Sequence, residues 1–217
     1  MIGRRDFLIS MVSAGIGLLT APAVGHSNTA GSDEWVDTWL SDNTEGEELP
    51  EIAATPANHS KHAQYCPGYL RLRSSIHGEA HDFKFRDING VYDQRALLAL
   101  SWFLRCRDGS WQHMDIKMLE SLNYLSALLE VPIIQINSGY RSPRYNKWLA
   151  SKNENTARNS LHMNAQAVDF FVPGISAREV CSYSLYARNA IGYGGVGYYP
   201  KSGFVHLDSG RIHQWAK

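Results

Sequence analysis

The stretch SLHMNAQAVDFFVPG, residues 160–174, joins a polar segment to an apolar run that ends at a Pro-Gly pair. The run QAVDFFV is typical of a buried β-strand, closed by the turn-forming Pro173 and Gly174. His162 lies seven residues before Asp169, and both residue types ligate divalent metals. The pair alone fits half of a metal site, or a polar loop that precedes a buried strand.

The N-terminus has the features of an export signal. Arg4 and Arg5 are followed by Phe7 and Leu8, and then by a mildly apolar segment that ends in an A-x-A pattern. Paired arginines in this setting resemble the twin-arginine signal of bacteria, and an ordinary secretory signal or an uncleaved anchor is the alternative. We predict a twin-arginine signal peptide over residues 1–25, a periplasmic location, and no stable membrane insertion after processing.

An acidic segment follows the signal. Residues 26–62 are rich in Ser, Thr, Asn and Gly and include eight acidic residues, which predicts a flexible, solvated linker. From Lys61 onward the chain has 19 Lys and Arg against 12 Asp and Glu, although its formal net charge is zero. A basic folded part suits a polyanionic partner such as a cell wall. We expect no nucleic-acid binding, because the sequence lacks zinc-finger, RNP-like and recognition-helix patterns.

The remaining residues, 63–217, suffice for one domain with its own hydrophobic core. Helix starts are predicted at the capping residues Asp93, Ser142 and Ser176. Strand patterns lie between the helices, and GGVGYY and FVHL around the turn PKSG predict a hairpin near the C-terminus. We therefore predict an α+β domain in which helices flank a small antiparallel sheet.

Three cysteines lie far apart in this domain, at Cys66, Cys106 and Cys181. In an exported protein their number allows one disulfide with a free thiol, or three buried thiols. The sequence contains no C-x-x-C motif, so a zinc site with cysteine ligands is not expected.

Two further stretches carry groups that could complete a site with His162 and Asp169. SGYRSP places Arg141 on a turn after a strand, and GFVHLDSG carries His206 and Asp208 two residues apart on a predicted strand. A catalytic zinc takes three protein ligands from His and carboxylate groups and keeps one position for water. A loop histidine and two antiparallel strands could converge on one ion, so His162, Asp169 and His206 form a candidate ligand set.

Taken together, these motifs resemble a known enzyme family. SGYRSP, the S-x-H pattern from Ser160 to Asp169, and GGVGYYPKSGFVHLDSG with Trp215 beyond it are similar to the YcbK-like (MepK-type) murein endopeptidases. Those enzymes are zinc peptidases related to D-alanyl-D-alanine carboxypeptidases and to the Hedgehog zinc domain. The resemblance covers roughly residues 69–215 and implies the zinc fold of that group.

The resemblance also implies a function and site roles. It implies a zinc metallopeptidase that hydrolyses peptide cross-links of peptidoglycan, with the stem peptides as partners and the candidate ligand set holding Zn²⁺. We expect the exported protein to be a monomer. It implies that Arg141 holds substrate or the developing oxyanion, a task suited to a guanidinium. Tyr140 beside it and Ser160 are predicted to contact substrate.

The chain departs from the family pattern at the general base and at one glycine. Relatives in the wider group carry His or Glu where this chain has Phe204 and Gly203. Asp208 is the candidate base, and its alternative role is to orient His206. The family usually has glycine at the position of Ala165. A positive φ there would cost alanine about 1 kcal/mol, whereas substrate passing close by would meet a narrowed cleft.

Two alternatives to an endopeptidase follow from these observations. One is a zinc-containing peptidoglycan-binding module of weak or absent activity, which the departures from the family pattern favour. The other is a D,D- or L,D-carboxypeptidase. A carboxypeptidase needs a cleft closed at one end by a carboxylate clamp, whereas an endopeptidase needs a cleft open at both ends.

Overall fold

The computed structural model of the protein describes Cys66 and residues 68–131, 133–153 and 156–217. The signal peptide and the linker predicted over residues 1–62 lie outside the described residues and stay predictions. In the part of the chain that is described, no helix combines the length and the apolar character needed to cross a bilayer.

Seven strands and four α-helices make up the described fold, which is α+β as predicted. In chain order the elements are β1 (Gly68–Ser74), β2 (Ala80–Arg86), α1 (Gln94–Phe103), α2 (Ile116–Leu129), β3 (Ile134–Ser138), α3 (Pro143–Lys152), β4 (Ala167–Phe171), α4 (Ala177–Ile191), β5 (Gly195–Tyr199), β6 (Phe204–Asp208) and β7 (His213–Ala216). A short 3₁₀ helix, Leu161–Asn164, precedes β4.

The helix starts lie where the capping residues predict them. Asp93, Ser142 and Ser176 precede α1, α3 and α4, and each side-chain oxygen accepts a hydrogen bond from a backbone N–H in the first turn. A cap of this kind contributes about 1 kcal/mol to helix stability. The predicted C-terminal hairpin is also confirmed, because β5 and β6 pair antiparallel.

The seven strands form one mixed sheet in the order β2-β1-β3-β4-β6-β5-β7. The prediction of a small, antiparallel sheet is corrected here, since the β1–β3 and β5–β7 pairs are parallel. Strand β3 returns beside β1 through a long connection that contains α1 and α2, as parallel pairing requires. Strand β7 was not predicted, because the segment HQWA is short and polar and has no clear alternation.

Alternation along the central strands separates the hydrophobic core from the site. Helices α2 and α4 pack against the sheet and against each other. Val168 and Phe170 of β4 and Leu207 of β6 are buried in the core. Successive strand residues point to opposite faces, so Asp169 and His206 are directed to the other side of the sheet.

The three cysteines are free thiols. Cys66 and Cys106 are buried and Cys181 is half-buried. The structure therefore has no disulfide between them, and two of the three thiols are buried. Burial raises the pKa of the Cys66 thiol to about 11, which keeps it protonated and unreactive at neutral pH.

A buried ion pair connects β2 to α2. Arg86 Nε donates to Glu120 Oε1 at 2.7 Å, with side chains only 1% and 9% exposed. The Tyr92 hydroxyl donates to the same carboxylate oxygen at 3.0 Å. Charges removed from water in this way depend on their partners, so loss of the carboxylate would leave a buried cation without its counter-ion.

We expect Glu120→Ala to lower the free energy of unfolding by about 3–5 kcal/mol for that reason. The control is Asp82→Ala, which breaks the more exposed Arg71–Asp82 pair and should cost at most about 1 kcal/mol. Urea denaturation of the three proteins measures both values. Equal, small losses in the two variants would contradict a stabilising role for the buried pair.

Candidate metal centre

One row of residues crosses the sheet and carries the candidate site. From β3 to β7, the residues at paired positions are Ser138, Asp169, His206, Gly197 and Trp215. Side chains at paired positions project from the same face of a sheet. Two of the three predicted ligands are therefore cross-strand neighbours in the middle of this row.

The third predicted ligand reaches the row from the 3₁₀ helix before β4. His162 Nε2 lies 3.2 Å from His206 Nδ1 and 3.3 Å from Asp169 Oδ1. His206 Nδ1 lies 2.8 Å from the same Asp169 oxygen. All three residues are buried, and no other group of three or more His, Cys, Asp or Glu in the described chain has metal-binding spacing.

This geometry fits a tetrahedral zinc ion. Zinc bonds to nitrogen and oxygen of about 2.0–2.1 Å place ligand atoms roughly 3.3 Å apart along a tetrahedron edge. Two of the three separations, 3.2 Å and 3.3 Å, match that edge and the third is shorter, at 2.8 Å. Two imidazoles and one carboxylate are also a zinc donor set that leaves a position for water.

Groups behind the two histidines determine which ring nitrogen faces the centre. His162 Nδ1 lies 2.7 Å from the carbonyl oxygen of Gly139, which can only accept, so Nδ1 carries the hydrogen. His206 Nε2 lies 3.2 Å from Asp208 Oδ2 and donates in the same way. Nε2 of His162 and Nδ1 of His206 therefore face Asp169, and they are the two ring nitrogens available to a metal ion.

The charge state of the cluster reflects its burial and its contacts. Burial lowers the pKa of His162 to about 4, so this ring is neutral at pH 7. Burial also opposes a charge on His206, but hydrogen bonds to Asp169 and Asp208 outweigh it and raise the pKa to about 9. Burial likewise opposes ionisation of Asp169, yet the two histidines hold its pKa well below the ordinary value.

Arg141 contacts the cluster from the turn after β3. Its Nη2 donates to Asp169 Oδ2, and its Nε donates to Ser138 Oγ at 2.8 Å. Its backbone N–H donates to the carbonyl of His162 at 3.0 Å. The guanidinium therefore holds the second oxygen of Asp169 while the first faces the histidines, and Arg141 also lines the adjoining cavity.

Asp208 is fixed on the far side of the His206 ring. Its Oδ1 accepts backbone N–H groups from Gly195 at 2.8 Å and Gly210 at 2.9 Å, and its Oδ2 contacts His206 Nε2. Burial opposes its charge, but these contacts keep its pKa below the ordinary value. A carboxylate that is hydrogen-bonded to the outer nitrogen of a ligand histidine orients that ring. The geometry therefore favours an orienting role for Asp208 over the role of general base.

The glycines of GGVGYY explain how these side chains approach so closely. A Cβ on Gly195 would lie 2.4 Å from Asp208 Oδ2, and one on Gly197 would lie 2.5 Å from the Trp215 ring. Trp215 in turn packs against His206 with ring centroids 5.1 Å apart. Sequence reasoning missed this support, although glycine at alternate positions of a strand is a signal of close approach.

A cavity of about 870 Å³ opens over the cluster, and Ser160 and Arg141 line it. Ser160 caps the 3₁₀ helix by accepting the N–H of His162. Tyr140 is 8% exposed and is not among the residues that line this cavity. The structure therefore brings together all the predicted site residues except Tyr140.

Ala165 ends the 3₁₀ helix in the left-handed region, with φ of 55°. Its methyl group is fully buried, so it does not line a path for substrate. Alanine at this position therefore carries the conformational cost of about 1 kcal/mol, and its methyl group does not narrow the cleft.

Comparison with known proteins agrees with the motifs and the geometry. A sequence profile of the family described as peptidoglycan L,D-endopeptidase MepK matches residues 63–215. The chain belongs to this family. The family resemblance drawn from the sequence motifs is thereby confirmed. No solved structure matches the chain significantly.

Individual relatives share a large part of the sequence. The peptidoglycan L,D-endopeptidase MepK of Escherichia coli (strain K12) is 35% identical over 151 residues, which cover 69% of this chain and 80% of the relative. The probable peptidoglycan L,D-endopeptidase MepK of Haemophilus influenzae is 38% identical over 152 residues, covering 69% and 79%.

Zinc binding should release about one proton at pH 7. His206 is protonated there because its pKa is about 9, whereas His162 is already neutral. The ion must displace the proton on Nδ1, so affinity should rise about tenfold per pH unit from pH 6 to 8. Calorimetric titration in buffers of different ionisation enthalpy measures the proton count. His213→Ala changes a histidine that lines the cavity outside the ligand set and should behave as wild type. A pH-independent affinity would contradict a protonated His206 in the metal-free protein.

Asp208→Asn distinguishes the two roles of this residue. If Asp208 orients His206, zinc affinity should fall about 10–100-fold while the zinc-saturated variant keeps most of its kcat. Competition with a chelator measures affinity, and an assay at saturating zinc measures kcat. Unchanged affinity with kcat lowered about 10²–10⁴-fold would instead identify Asp208 as the general base.

Proposed function

We propose that this protein is a zinc-dependent murein endopeptidase that hydrolyses L,D-peptide cross-links in peptidoglycan. The observation that carries the proposal is the buried convergence of His162 Nε2, Asp169 Oδ1 and His206 Nδ1 beside a cavity lined by Arg141. Membership of the MepK family supports the reaction class and the substrate. The zinc fold shared with D-alanyl-D-alanine carboxypeptidases and the Hedgehog domain is part of the proposal.

We assign the three converging residues as zinc ligands. Zinc, when bound, supplies a Lewis acid that polarises a carbonyl group and lowers the pKa of water to about 7. The protein's own contribution is to hold the donor atoms in place. Gly139 fixes the tautomer of His162, Asp208 fixes that of His206, and Arg141 fixes the carboxylate of Asp169.

Arg141 is assigned a second role as a substrate-binding and catalytic residue. Its contacts with Ser138 and Asp169 use Nε and Nη2. A guanidinium has five N–H donors, so Nη1 is available for a stem-peptide carboxylate or for the developing oxyanion. Ser160 lines the same cavity and is assigned to substrate binding, whereas the burial of Tyr140 argues for a supporting position behind the site.

The charge of the cavity suits an anionic stem peptide. Among the described residues that line it, the only acidic groups are Asp169 and Asp208, and both are engaged in the cluster. The basic lining residues outnumber them: Arg107, Arg141, Arg211 and Lys217. Basic groups around a cleft raise the local concentration of anionic substrate and favour its carboxylates.

We further propose export by the twin-arginine route and action as a monomer in the periplasm. The paired arginines before an apolar segment support the route, and a substrate in the cell wall requires an extracytoplasmic location. The acidic composition of residues 26–62 supports the proposal that this segment is a linker before the domain.

Digestion of purified peptidoglycan tests the function. The zinc-loaded wild type should convert L,D-cross-linked dimers to monomers, as measured by liquid chromatography and mass spectrometry of the muropeptides. His162→Ala and His206→Ala should lose bound zinc and cross-link cleavage together, because each removes one of only three protein ligands. His213→Ala serves as the matched histidine control and should keep its bound zinc.

Other outcomes of this digestion identify the alternatives. Shortened stem peptides with intact cross-links would show a carboxypeptidase. Co-sedimentation of the zinc-loaded wild type with peptidoglycan, without any new product, would show a binding module. Full zinc content in His162→Ala would refute the ligand assignment.

A further inference from the structure

Tyr199 lies on the site face of the sheet but has no role in the function proposed so far. It pairs across strands with Phe204, while Gly197, two residues earlier, pairs with His206. Residues two apart on a strand share a face, so the Tyr199 side chain projects to the same side as His206. Both residues line the cavity over the cluster.

The position of the phenol oxygen is fixed by Trp215. The indole Nε1–H donates to the Tyr199 hydroxyl at 3.0 Å. Because an indole N–H can only donate, the hydroxyl must accept there and direct its own hydrogen elsewhere. No described residue accepts that hydrogen. The ring itself is held by stacking on Phe204, with centroids 4.4 Å apart and planes 14° from parallel.

The same indole connects Tyr199 to the candidate metal centre. Trp215 packs against His206 with the ring centroids 5.1 Å apart. The indole therefore contacts both Tyr199 and a predicted ligand. The charges of Asp169 and Arg141 both act on the phenol. Burial raises the pKa of Tyr199 above its ordinary value, and the hydroxyl keeps its proton at neutral pH.

We propose that Tyr199 is a further catalytic residue, whose O–H donates a hydrogen bond to the carbonyl oxygen of the scissile peptide as that oxygen gains negative charge. This inference rests on the proposed endopeptidase function. The O–H bond of Tyr199 stays intact throughout, so no proton is transferred. A donor that is already held in place and aimed at developing charge stabilises the transition state without reorganisation.

Tyr199→Phe tests the proposal while keeping the ring that stacks on Phe204. Removal of one such donor lowers kcat about 10²–10³-fold, and we expect a loss of that size with KM, zinc content and melting temperature close to wild type. The matched control is Tyr198→Phe, because Tyr198 is the neighbouring residue on the opposite face of β5. It should keep wild-type kcat.

Binding of a phosphinic analogue gives a readout that does not depend on turnover. The probe is a stem-peptide analogue in which a phosphinate and a methylene group replace the scissile amide. Its charged oxygen resembles the oxyanion, so Tyr199→Phe should weaken its binding by about the factor lost in kcat/KM. Binding of the uncleaved product peptides should change little.

Three results would overturn the role of Tyr199. The first is wild-type kcat in Tyr199→Phe, which leaves the endopeptidase function intact. The second is wild-type binding of the phosphinic analogue by Tyr199→Phe, because loss of an oxyanion donor must weaken binding of an oxyanion mimic. The third is a parallel loss of bound zinc in Tyr199→Phe, which indicates a structural role. A wild type without cleavage would overturn the proposed function as well.

Discussion

Asp169 and His206 occupy paired positions on two antiparallel strands, and the geometry of the whole site depends on this register. On the other face of β4, Val168 and Phe170 are buried in the core. A slip of one residue would exchange the core side chains for the site side chains. Exposing each apolar residue would cost about 1.5–3 kcal/mol, so hydrophobic burial holds the two polar residues side by side. His162 joins them from the 3₁₀ helix that leads into the same strand.

The strand register alone would produce no more than a buried polar cluster. The hydrogen-bond partners behind the two histidines are needed as well. Gly139 and Asp208 take the outer hydrogens of the two histidines, so two acceptor nitrogens and a carboxylate oxygen converge where water is largely excluded. Converging acceptors in a buried place need a positive charge between them. In the metal-free protein a proton on His206 supplies it, as the pKa of about 9 indicates. A divalent ion in place of that proton would satisfy all three acceptors.

Much of the fold could be predicted from local patterns. Capping residues predicted three helix starts, an apolar run predicted β4, and three motifs with their family resemblance predicted the cluster of His162, Asp169 and His206. The remaining features depend on segments that are distant in the chain. Strand β7 forms because its backbone pairs with β5, and the Gly139 carbonyl reaches His162 only in the folded chain. The contact of Tyr199 with Trp215 likewise appears only once β7 is placed, although the glycines of β5 indicate that a large side chain approaches there.

The central claim is that the three residues bind one zinc ion through these specific atoms. Anomalous diffraction at the zinc absorption edge, from crystals of the zinc-loaded protein, tests it most directly. The account predicts one strong peak about 2.0–2.1 Å from His162 Nε2, Asp169 Oδ1 and His206 Nδ1. A peak bound through Nε2 of His206, or a zinc ion located away from these three residues, would contradict it.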